Sequence, residues 1–221
     1  MRTDISGRSM IEMIGVLAII GVLSIGGIVG YSRAMTRYRI NRTIDETTRL
    51  VNGIHTMYLT QKNYAGIGQS NGQMNSSIAK NIKNSIGFNP METDAFGGRW
   101  YVADAHPNND SNGSYSYPQN ELSTAFVVGF QGVPEEACME LATINWASIG
   151  DGLIGFGIGK QDSARPAVAV KKKDCPKGGM QKWGDNGYWI CAQDMPLSPQ
   201  DAVTDCSTSS NNNYSFSFKY R

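Results

Sequence analysis

Residues 7–31 read GRSMIEMIGVLAIIGVLSIGGIVGY, and the fold of the whole chain follows from that stretch. From Met10 to Val29 it runs through twenty residues with one charge, Glu12, and no proline. At about 1.5 Å per residue such a run makes roughly 30 Å of helix, enough to cross the hydrocarbon core of a bilayer. The single acid is the anomaly. A carboxylate inside an apolar span costs on the order of 2.5–3.5 kcal/mol on insertion scales and usually marks function with a partner. Nothing cationic lies within the run to neutralise it.

The order Gly7-Arg8-Ser9-Met10-Ile11-Glu12, followed by the apolar run, resembles the class III signal of type IV prepilins and type II secretion pseudopilins. The resemblance implies that a prepilin peptidase cuts between Gly7 and Arg8 on the cytoplasmic side and methylates Arg8. It implies that the apolar helix stays with the mature chain and becomes the core of a filament. It also supplies the missing partner: Glu12 pairs with the terminal amine of a neighbouring subunit. Arg8 is a departure, because the family usually has a bulky apolar residue just after the cut.

An ordinary signal peptide fits less well. Its apolar region spans about 7–15 residues and ends at an A-x-A-like site, which the exit GGIVGYSRAM does not offer. An uncleaved anchor is the stronger rival. Arg33, Arg37, Arg39 and Arg42 follow the span, against Arg2 and Arg8 before it, so charge bias alone would keep the remainder cytoplasmic. Four cysteines (Cys138, Cys175, Cys191, Cys206) argue for an oxidising compartment instead, and the leader motif implies an N-terminus inside. The expected location is therefore a single pass of the bacterial inner membrane with a periplasmic domain, and an extracellular pilus after assembly.

Composition narrows the rest. A net charge of +1 gives no bulk electrostatic reason for a nucleic-acid partner. C-x-x-C spacing is absent and His55 and His106 are far from the cysteines, which argues against a structural zinc site. Four cysteines allow three pairings; the favoured one is Cys138–Cys206, with Cys175–Cys191 nested inside it.

Along the chain, Ile40, Ile44, Val51, Ile54 and Tyr58 continue an apolar stripe at three- and four-residue spacing. No proline precedes Pro90, so one helix is predicted from about Ser9 to Gln61. A short helix is expected over residues 75–86 and a first strand over residues 99–102, after a glycine-glycine turn. Further strands are expected at residues 125–130, 167–170 and 187–191. Val133-Pro134-Glu135-Glu136 opens a helix with proline and acids in its first turn, and Ser198-Pro199-Gln200-Asp201 opens another. Residues 214–220 alternate aromatic and polar, the pattern of a strand with one buried face.

Three local motifs have plain explanations. Gly150-Asp151-Gly152-Leu153-Ile154-Gly155 matches G-x-G-x-x-G but follows a helix and opens none, so a glycine-rich turn or strand connection is expected rather than a nucleotide site. Residues 108–119 fall short of a calcium loop because Asn108 and Gln119 stand where acids are needed. Lys171-Lys172-Lys173 reads as a solvated strand edge.

The expected fold is α+β: a long N-terminal helical spine packed on an antiparallel sheet with a disulfide-bonded C-terminal region, nearest the type IVb pilins. The expected divisions are a leader (residues 1–7), an assembly half-helix (8–31), an amphipathic half-helix (32–62) and a globular region (63–221). No catalytic constellation and no cofactor are expected. The partners are other pilin subunits in a homopolymer, the prepilin peptidase, the inner-membrane assembly machinery, and the membrane before assembly. Two alternatives remain: a pseudopilin of a type II secretion system, and a membrane-anchored periplasmic binding protein or enzyme that never polymerises.

Overall fold

A computed structural model describes residues 10–61, 63–68, 74–105, 124–160, 175, 181–183, 187–207 and 213–221. The chain divides into two compact units, one ending at Arg39 and the other running from Ile40 to Arg221. Helix α1 spans Met10–Tyr58. In the first unit it is the only described element. Its hydroxyls bond within the helix: Ser24 Oγ donates to the Ile20 carbonyl at 2.8 Å, and Thr36 Oγ1 to that of Ser32 at 3.2 Å.

In the second unit, α1 buries Ile40, Thr43, Thr47, Leu50, Val51, Ile54 and Tyr58, a stripe of one helix face. Thr47 Oγ1 donates to the Thr43 carbonyl at 2.7 Å, so this buried hydroxyl is not an orphan donor. Helix α2 (Ser76–Ile86) begins at Asn75, whose side chain accepts from the Ser77 N–H, and ends at Gly87 in the left-handed region. It lies close to α1: a Cβ at Gly53 would stand 3.1 Å from Ile86 Cδ1.

The sheet has six described strands: β1 (Trp100–Ala105), β2 (Ala125–Pro134), β3 (Leu153–Lys160), β4 (Gln181–Trp183), β5 (Gly187–Cys191) and β6 (Asn213–Tyr220). Their order is β1-β2-β6-β3-β5-β4, and each neighbouring pair is antiparallel. The last strand therefore inserts at the centre, between β2 and β3. Phe126, Val128 and Phe130 of β2 share one face with Phe156 of β3 and Tyr214, Phe216, Phe218 and Tyr220 of β6. Phe130 stacks on Phe216 at 5.4 Å between ring centroids, and Trp146 meets Phe218 at 4.5 Å. Helices α3 (Glu135–Ala142) and α4 (Pro199–Cys206) pack on each other, α4 being capped by Ser198.

The turn before β1 has a specific construction. Buried Asp94 accepts from the N–H groups of Phe96 (2.8 Å), Gly98 (2.9 Å) and, across to β2, Gln131 (3.2 Å). A Cβ at Gly98 would sit 1.9 Å from the Gln131 carbonyl oxygen, so only glycine fits there. Burial raises the Asp94 pKa, and the three backbone donors act against that rise.

Two expectations need correction. Residues 153–155 are not merely a connection: after a turn at Asp151–Gly152 they open β3, which pairs with both β5 and β6. Glycine disfavours strands, but Gly155, Gly157 and Gly159 stand opposite the buried Lys219, Ser217 and Ser215 of β6. Strand β6 has two buried faces, since Ser215, Ser217 and Lys219 are as buried as its aromatic residues. Within α1, the residues that belong to the second unit begin at Ile40. The expected strand at 167–170, the Lys171–Lys173 run and the loop at 108–119 lie outside the described residues.

Candidate functional site

The first unit offers the feature with most to explain. Thirteen large apolar side chains between Met10 and Val29 are at least 47% exposed, among them Ile11 at 75%, Leu17 at 65% and Ile28 at 69%. Fully burying one such side chain is worth about 1.5–3 kcal/mol, so leaving the run in water costs on the order of 20 kcal/mol or more. A folded domain has a net stability of about 5–15 kcal/mol. The run needs a cover that its own chain does not supply: lipid, or the helices of other subunits. A helix suits lipid because its backbone groups are satisfied internally. Glu12 is exposed in the first full turn of this run. Gly7 and Arg8, the expected processing residues, lie outside the described residues.

The cysteines belong to the second unit and close its C-terminal region. Cys138 on α3 is bonded to Cys206 on α4, and Cys175 to Cys191 at the end of β5. The links span 68 and 16 residues; the chain-entropy estimate gives them about 4 and 3 kcal/mol respectively. Tyr214 Oη donates to the Cys206 carbonyl, tying α4 to the start of β6. Gln193 Nε2 donates to the Cys175 carbonyl at 2.7 Å.

Some polar groups in this unit were not legible in the sequence. Asp205, beside the disulfide in α4, is 1% exposed, and burial together with the nearby Asp201 charge pushes its pKa up to about 7. Its helical spacing relative to the buried Ala202 and Cys206 is the only signal that pointed inward. Lys219 is wholly buried in β6, and alternation alone assigned it to solvent. His55 is half-buried against the edge of Phe126 at 5.2 Å, and burial lowers its pKa.

None of this forms a reaction centre. A cavity of about 480 Å³ is lined by Gly152, Leu153, Ile154, Cys175, Cys191, Ala192, Gln193 and Arg221, and both of its cysteines are oxidised. Among the described residues no group of three or more His, Cys, Asp or Glu is placed to hold a metal ion.

A long helix, a central antiparallel sheet and a stapled C-terminal region define a type IV pilin. The structure of TcpA, a type IV pilin from Vibrio cholerae El Tor biotype, superposes with a TM-score of 0.51 over 83% of this chain and 99% of that one, at 11% identity. The chain belongs to the bundlin family, whose model matches residues 32–221. Major structural subunits of the bundle-forming pilus from Escherichia coli O127:H6 and O111:H- are each 28% identical over 152 residues, 69% of either chain. The protein is a structural pilin subunit and not an enzyme.

Proposed function

We propose that this chain is a subunit of a type IVb-class pilus, anchored in the inner membrane by residues 8–31 and polymerised through the same stretch. One observation carries the reading: the apolar run from Met10 to Val29 is uncovered by its own chain, whereas α1 from Ile40 on is packed into a folded unit. Lipid covers the run before assembly and neighbouring α1 helices cover it afterwards. Membership of the bundlin family and the likeness to subunits of the bundle-forming pilus support a homopolymer.

In this reading the prepilin peptidase removes residues 1–7 and methylates Arg8, and the inner-membrane assembly machinery then moves the subunit into the filament. Glu12 is exposed on the apolar helix. An unpaired carboxylate there is costly in lipid or between helices, so a terminal amine from the adjacent subunit both neutralises it and sets the axial register. The two disulfides support a periplasmic second unit before assembly and a surface position afterwards.

Mass spectrometry of the mature chain is expected to find an N-terminal methylated Arg8; an intact Met1 would favour a simple anchor. Glu12→Ala is expected to yield a folded, inserted and processed protein that enters filaments at least tenfold less than wild type. Normal filament yield from that variant would remove the role given to the carboxylate.

A further inference from the structure

The helix carries a second chemical feature just past its apolar run. Between Glu12 and Asp45 the sequence has no acid but four arginines, at 33, 37, 39 and 42. Every Lys/Arg cation in residues 1–61 is arginine; the first lysine is Lys62. Downstream, charges are engaged locally: Arg42 Nε lies 2.7 Å from Glu46 and Arg49 Nε lies 3.0 Å from Asp45. Arg33 and Arg37 have no such acid within reach on their own stretch of helix, and both are exposed.

Their positions relative to the span are set by the helix. At about 1.5 Å per residue, the Cα atoms of Arg33 and Arg37 lie roughly 6 and 12 Å beyond Val29. The headgroup layer on each side of the hydrocarbon is about 5–8 Å deep. Side chains on a helix lean toward its N-terminus, which here is toward the bilayer, so the long Arg37 side chain reaches back into the layer that Arg33 occupies. The two are four residues apart and share one face. Tyr31, two residues past Val29 and on another face, is 68% exposed and suits the membrane–water boundary.

We propose that Arg33 and Arg37 form a clamp for the phosphodiester of anionic phospholipids where α1 leaves the bilayer. A guanidinium presents paired N–H donors that match two phosphate oxygens, which a lysine ammonium cannot do. Anionic lipids are favoured over zwitterionic ones because they bring no ammonium of their own to repel the arginines. The clamp rests on the membrane-anchored reading above and gives it a lipid preference. It fixes the depth of the subunit and holds it at the surface until extraction. It also accounts for arginines on the side of the span where charge bias alone would not place them, since they are bound there.

The test uses the full chain in phosphatidylcholine vesicles carrying a trace of spin-labelled phosphatidylglycerol or spin-labelled phosphatidylcholine. Electron paramagnetic resonance then reads the fraction of each label immobilised at the protein. Each arginine held at an anionic headgroup contributes up to about fivefold and the pair up to about twenty-five, so a threefold to twenty-five-fold enrichment of phosphatidylglycerol is expected at low salt, declining as salt is added. Arg33→Gln/Arg37→Gln is expected to bring the ratio close to one, while Arg49→Gln, some 30 Å beyond the span at about 1.5 Å per residue, leaves it unchanged. A wild-type ratio near one in normally inserted protein overturns the clamp and leaves the anchor standing. Failure to insert into any vesicle overturns both. Inorganic phosphate displacing more lipid than chloride of equal ionic strength would show a free-phosphate site instead. A preference that vanishes as protein is diluted in lipid would assign the arginines to a second copy. Either result overturns the proposal.

Discussion

The two parts of α1 are one helix under two burial regimes. Before Arg39 almost every apolar side chain faces outward, whereas after Ile40 the apolar side chains face into an aromatic core. Ile20 and Ile54 have the same chemistry and the same secondary structure; one is 52% exposed and the other is completely buried. The difference is in what is available to cover them. The first part leaves its cover to lipid or to other subunits, and the second brings its own sheet. A structural subunit of a filament needs both kinds, because a self-covered helix could not polymerise and an uncovered one could not hold a domain.

That contrast can be broken most directly at the outer staple. Replacing Cys138 and Cys206 with alanine removes a 68-residue closure, and denaturant unfolding of the second unit is expected to lose about 4 kcal/mol. Insertion of residues 10–29 is expected to be untouched. If insertion fell in proportion to stability, the two units would not be separate in the way described.

The isoleucine pair sharpens the comparison further. Ile54→Ala is expected to cost about 3 kcal/mol in the unfolding of the second unit, since a fully buried side chain leaves a cavity. Ile20→Ala is expected to change the same transition by less than about 0.5 kcal/mol, as surface changes do. Equal costs for both would contradict the division at Arg39–Ile40.

The smallest effect is confined to a pH window. The Asp205 pKa is raised to about 7 from 3.8, so the folded state holds its proton where the unfolded state has lost it. Stability is therefore highest below about pH 4 as far as this group is concerned, and declines as pH rises toward 7. Asp205→Asn is expected to flatten that decline in thermal scans between pH 4 and pH 8. A steeper decline in the variant would reverse the sign assigned to this carboxyl. No such slope is expected from substitutions in the first unit.

How legible each part was follows from the same contrast. The apolar run, the i, i+3/i+4 stripe and the Ser198 and Pro134–Glu135 helix starts depend on neighbours within a few residues, so they could be read directly. Strand β3 could not, because its glycines are favourable only opposite Lys219, Ser217 and Ser215, some sixty residues away. Strand β6 showed its alternation, but not that it sits at the centre of a sheet where both faces are covered. Nor could the burial of Asp94, because one of its three backbone donors, Gln131 at 3.2 Å, comes from 37 residues away.

By itself, then, the sequence determined an uncovered apolar helix with one acid, an amphipathic continuation, and four cysteines in its C-terminal half. Those are local and compositional properties, decided by hydrophobicity and helical period. The tertiary structure alone decided where self-coverage begins, which strand lies at the centre, and which charged groups (Asp94, Asp205, Lys219) lie buried. Burial is a property of what lies opposite a residue, and no stretch of chain carries that information alone.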